Sequence, residues 1–161
     1  MQFYPAELHH QSTQGILHAI LVDLSKGLYR LLEDFEYTVQ YRGKPVRFVL
    51  PKGFYTNFAT IPSFARKFLH PLDPGFIVAA AVHDFVLNEF KSYQPDLTRT
   101  FWVDGVEEHI NVTFGWNEAA DLFKAILVEE GSFNENWRCL FTGLVKTWFV
   151  ISPYVRHRFT F

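Results

Sequence analysis

What this chain lacks narrows its chemistry. Of its 161 residues one is cysteine, Cys139, so it can hold no internal disulfide and no cysteine-based zinc site. A reducing compartment fits that best. Charge of one sign is also missing. Fifteen Lys and Arg stand against 17 Asp and Glu, a formal net charge of -2, which gives no basic field for nucleic acid. Arg156, His157 and Arg158 form a patch of basic character, not a groove. There is no long hydrophobic run. The most apolar late stretch, residues 139–155, is broken by Lys146 and Pro153. It is shorter than the roughly 20 apolar residues of a membrane span, so it reads as a buried helix. The opening MQFYPAELHHQSTQG has no basic segment followed by an apolar one, and no signal peptide is expected. Also lacking are H-E-x-x-H, a glycine-rich phosphate loop and a nucleotide fingerprint. Ser63 has no G-x-S-x-G elbow around it.

What is abundant is apolar and aromatic. Hydrophobic residues make up 48% of the chain and 18 are Phe, enough for one packed core with aromatics left over for a contact surface. The reading is one α+β domain over residues 1–161, a small N-terminal antiparallel sheet packed against a helical half. Residues 1–15 read as a polar arm, and the adjacent His9 and His10 as a solvated pair, because no further ligand follows at helical spacing. Residues 16–50 read as strands. In 35–41, Phe35, Tyr37, Val39 and Tyr41 alternate with Glu36, Thr38 and Gln40, the period of a half-exposed strand, and Arg42-Gly43-Lys44-Pro45 turns the chain into the next one. Residues 53–90 hold a polar turn, a short helix started at Thr60-Ile61-Pro62-Ser63, and a Pro/Gly break. A helix apolar on all sides follows, capped by Asp73 with Pro74 in its first position. Residues 91–116 read as an aromatic insertion, a loop or a hairpin of 101–103 with 109–114. Trp102, Phe114 and Trp116 are its candidate binding residues. Asn117 is the expected cap of an amphipathic helix closed by Gly131, and a second helix fills the rest of 117–151. Residues 152–161 are a basic, aromatic tail.

Chemistry centres on His83 and Asp84, at the end of the apolar helix. A buried charged pair needs a partner, a metal or a wet pocket, because leaving it unpaired costs several kcal/mol. One possibility is structural: the two side chains hydrogen-bond to the turn at Thr56-Asn57 and hold the halves together. The other is a divalent metal. A buried helix ending in His-Asp resembles the way HD phosphohydrolases present two metal ligands, with a later aspartate as a third. Asp121 is the residue here that would match it. That resemblance also asks for an upstream histidine, and His70, beside a proline in a break, is the nearby one. His83, Asp84 and Asp121 are therefore the candidate catalytic and metal-binding residues.

Several motifs in order carry a further resemblance. Phe54-Tyr55-Thr56-Asn57-Phe58-Ala59-Thr60-Ile61-Pro62 is followed by Pro74-Gly75, Ala80-Ala81-Val82-His83-Asp84 and Ala120-Asp121-Leu122-Phe123. Over roughly residues 15–151 this resembles a phage and prophage family known as domain of unknown function 1353. Its pattern is close to F-x-T-D-x-A-S-x-P, then A-A-x-x-H-D, then A-D-x-x-F. Two positions depart: Asn57 replaces the family aspartate and Thr60 the family serine. A neutral amide cannot take a proton as a carboxylate does, so a site built on Thr56, Asn57, Thr60, His83, Asp84 and Asp121 lacks one carboxylate. The resemblance implies a phage virion protein, assembled in the host cytoplasm. Its expected role is a tail or baseplate component that binds other phage structural proteins, as repeated copies. A metal-dependent hydrolase used during infection, and a small factor that inhibits a host protein, are the alternatives.

Overall fold

Period-two alternation builds the first half of the molecule and a fully apolar helix organises the second. The computed structural model describes residues 6–58, 74–88, 91–97, 99–109, 115–131, 135–136, 138–140 and 142–143. The strands are β1 (Glu7–Ser12), β2 (Gly15–Asp23), β3 (Leu28–Leu31), β4 (Phe35–Tyr41), β5 (Lys44–Leu50), β6 (Tyr55–Thr56), β7 (Thr100–Val103) and β8 (Val106–His109). The helices are α1 (Pro74–Leu87) and α2 (Trp116–Glu129), with a 3-10 turn at Lys91–Tyr93. The class is α+β as expected, but the strands form two four-stranded antiparallel sheets, in the orders β1-β2-β3-β6 and β4-β5-β7-β8.

Local chemistry explains the turns. Between β4 and β5, Arg42 and Gly43 have φ of 51° and 76°; between β7 and β8, Asp104 and Gly105 have 50° and 80°. Two successive left-handed residues match the twist of the strands they join, and Gly at the second position carries no Cβ penalty. Between β2 and β3 the Asp23 carboxylate accepts hydrogen bonds from the Ser25 N–H, the Ser25 hydroxyl and the Lys26 N–H, at 3.0, 2.6 and 3.3 Å. This is an aspartate-anchored turn.

Both sheets contribute one face to a single core. Leu17, Ala19, Tyr29 and Leu31 come from the first sheet, and Phe35, Tyr37, Val39, Val46, Phe48, Leu50 and Phe101 from the second. Against them lies α1, whose residues 75–86 are buried on every side. An all-apolar helix can only be stable in such a position. Its far side meets α2 through Phe76, which packs edge-on against Phe123 with centroids 5.6 Å apart.

Four expectations need correction. Residues 7–12 are not an arm: they are β1, paired in register with β2 from Glu7↔Ile20 to Ser12↔Gly15. Its inward positions are Leu8, His10 and Ser12. With one apolar residue among the three, the alternation does not stand out. The single N-terminal sheet is two. Residues 100–109 form the expected hairpin across Asp104-Gly105, but as two strands of the second sheet and not as a separate element. β7 pairs with β5, Phe48↔Phe101 and Arg47↔Trp102, and the fully buried Phe101 stacks on Phe48 at 5.9 Å. The return strand starts at Val106, because Asp104-Gly105 turns the chain at once; residues 110–114 of the expected return lie outside the described residues. Finally, α2 is capped by Gly115, not Asn117, with no side-chain cap bond. Glu118, at the third helical position, folds back so closely that a Cβ at residue 115 would lie 2.6 Å from its Oε2. The expected short helix after Thr60, the Asp73 cap, most of the second late helix and the tail fall outside the described residues.

Candidate functional site at the end of the buried helix

Helical geometry sets what His83 and Asp84 can do together. Neighbouring residues on a helix point about 100° apart, and on α1 the two side chains address different elements. Asp84, 3% exposed, accepts a hydrogen bond from the Thr56 hydroxyl of β6, at 2.6 Å. The same hydroxyl oxygen accepts the Phe58 N–H at 3.2 Å, which fixes the turn after β6. Phe58 has φ of 52°, a left-handed conformation rare for a bulky residue, and its hydrogen bond to Thr56 lies at that bend. The Thr56–Asp84 bond is thus a buried tie between the first sheet and α1. Leaving one partner of such a buried bond unsatisfied costs about 1–3 kcal/mol.

His83 turns the other way. Its ring stands edge-on to Phe123 of α2, with centroids 6.1 Å apart and planes at 83°. Burial pushes its pKa down to about 3, since a charge cannot be solvated there. At neutral pH the imidazole is uncharged. A base of that strength lies far from the near-neutral pKa that serves general acid–base catalysis.

Asp121 is on α2 and half-buried. Its surroundings are marked by Tyr41, at the end of β4. Burial first, and the Asp121 and Glu118 charges after it, push the Tyr41 phenol up, against the opposing pull of Arg42. Asn57 follows Thr56 and is half-buried. Among the described residues, the His, Cys, Asp and Glu side chains whose ligand atoms converge within 4.8 Å as a group of three are Glu7, His9 and His18, not the His83, Asp84 and Asp121 set.

The remaining candidates scatter. Trp102 is half-exposed on β7, with the Arg47 guanidinium 4.1 Å above its ring, a cation–π contact within the second sheet. Trp116 is the first residue of α2. Thr60 and Phe114 lie outside the described residues. No helix among the described residues is long and apolar enough to cross a membrane.

Two features of the surface were not singled out from the sequence. One is the outward row of β2: Ile16, Ile20 and Val22 are 55%, 36% and 44% exposed, with Leu24 beyond them at 65%. The signal was present, since residues 16–22 are apolar but for His18, and a nearly unbroken apolar run is what a strand covered on both faces shows. The other is the Glu7, His9 and His18 group, where strand spacing and pairing, not helical spacing, bring the residues together.

Comparison with known proteins gives one match. Residues 29–143 fit the family described as "Protein of unknown function (DUF1353)". No curated protein and no solved structure matches the chain.

Proposed function

We propose, starting from the fact that this chain belongs to the DUF1353 family of proteins of unknown function, that it acts by protein–protein binding through the outer face of β2. The observation that carries this is that Ile16, Ile20 and Val22 on the outward face, with Leu24 in the turn beyond, are large apolar side chains left exposed, with the half-buried His18 between the first two. Scattered apolar residues on a surface need no explanation; exposed apolar side chains repeated along one face of an inner strand fit a contact site. The tie between Thr56 and Asp84, and a His83 kept neutral by burial, support reading the end of α1 as a clasp that holds the platform rigid.

The partner class we propose is a phage structural protein met in repeated copies, in a tail or baseplate. The test uses the intact chain in its producing system. Mass spectrometry of purified particles should find the protein at a fixed copy number. A double variant, Ile16→Asp with Ile20→Asp, should fold normally yet be missing from the particles. Particles that lack the wild-type chain would sink the virion reading. Particles that take up the double variant as well as wild type would sink the assigned surface.

A further inference from the structure

The outer face of the β1–β2 hairpin carries a second arrangement, independent of any protein partner. β1 and β2 pair with His9 directly opposite His18. Side chains so paired point to the same face of the sheet. Glu7, two residues before His9, shares that face by the period of the strand. The Glu7 Oε1 atom lies 3.0 Å from the His9 Nε2 and 2.7 Å from the His18 Nε2. The two imidazole rings stack, with centroids 3.9 Å apart and planes at 26°. Both rings thus turn the same nitrogen to one carboxylate oxygen. Glu7 and His9 are exposed and His18 half-buried, so solvent reaches the point where the three meet.

We propose that Glu7, His9 and His18 form a binding site for a divalent transition-metal ion of the zinc class. Two neutral imidazoles and one carboxylate suit zinc, nickel, cobalt or copper, and not magnesium or calcium, which take oxygen ligands. Bonds of about 2.0–2.1 Å in a tetrahedral shell place ligand atoms about 3.3 Å apart. The Glu7 oxygen, now 3.0 and 2.7 Å from the two nitrogens, has to draw back from them by roughly half an ångström, and the stacked rings have to turn so that both lone pairs face the ion. Three protein ligands leave a fourth position for water or a group brought by another molecule. Both strands precede the residues that match the family, 29–143, so the site belongs to this chain's own N-terminal hairpin.

The pair of hydrogen bonds to Glu7 explains the geometry without a metal, and the experiment separates the two. Isothermal titration calorimetry of the full chain at pH 7.5 would use zinc chloride, with magnesium chloride as the comparison. One zinc ion per chain should bind and magnesium should not. His9→Gln and His18→Gln should each weaken zinc binding by at least about tenfold, the lower range for losing even a supporting group of a metal site. Nitrogen NMR of the wild-type chain needs no variant: added zinc should move the Nε2 resonances of His9 and His18 and spare His83. No saturable zinc binding up to millimolar concentration would overturn the assignment. So would zinc that binds both histidine variants as tightly as wild type, or that leaves the two Nε2 signals in place.

Discussion

Acid should destabilise this protein through one buried side chain. His83 is 1% exposed and its folded pKa is about 3, against 6.5 for the ordinary group. The folded value is the lower one, so the unfolded chain binds the extra proton more readily. The contribution to stability is intact above pH 6.5 and is lost as the pH falls toward 3. Within that window the slope is about 1.4 kcal/mol per pH unit. Between pH 7 and pH 5 His83 alone should therefore remove about 2 kcal/mol, a large share of the 5–15 kcal/mol typical of a domain. Other groups titrate too, so the quantity to measure is a difference. Urea unfolding of wild type and His83→Gln at both pH values gives it. At a slope of about 2 kcal/mol per molar urea, the wild-type midpoint should fall about 1 M further than that of the variant. Equal pH dependence in the two proteins would refute the reasoning, since it would mean that His83 can be charged in place.

Three other perturbations follow from the same geometry. Thr56→Val should cost about 1–3 kcal/mol in urea unfolding, because it removes the buried hydroxyl that donates to Asp84, while Thr56→Ser should cost far less. Asp84→Ala should lower the thermal midpoint and leave zinc stoichiometry unchanged; near-stoichiometric metal that disappears in this variant would instead favour the hydrolase reading of His83, Asp84 and Asp121. Glu130→Ala should cost about 1–2 kcal/mol and speed hydrogen exchange in residues 7–23, because its carboxylate accepts from the Thr13 N–H, the Thr13 hydroxyl at 2.6 Å and the Tyr37 hydroxyl at 2.7 Å.

Legibility in the sequence followed the range of the interaction. The β4–β5 hairpin was readable because Phe35, Tyr37 and Val39 alternate cleanly and Arg42-Gly43 sits at the turn. The helix α1 was readable because Pro74 and Gly75 open it and nothing polar interrupts it before His83. Its tie to Thr56 was also anticipated, since a buried pair demands a partner. β1 was not readable, because Leu8, His10 and Ser12 make a poor apolar face and its order comes from pairing with β2. The place of β7 beside β5 was hidden for the same reason: the two are 50 residues apart and nothing local names the neighbour. The Glu7, His9 and His18 group joins both difficulties. Its spacing is that of a strand, and its third member arrives across a hairpin.

The carboxylate of Glu130 gives the chain a timetable. It closes the structure on Thr13, 117 residues earlier. A ribosome adds about 5–20 residues per second, so the N-terminal hairpin leaves the tunnel roughly 6–23 s before its anchor exists. During that interval β1 and β2 have their turn and their mutual pairing, but neither α1 nor α2 to lie on, and an isolated two-stranded hairpin is marginal in water. The apolar row on β2 is then open on both faces. A cell making this protein in quantity holds many such half-built chains at once, and the first partner each meets is another of its own kind.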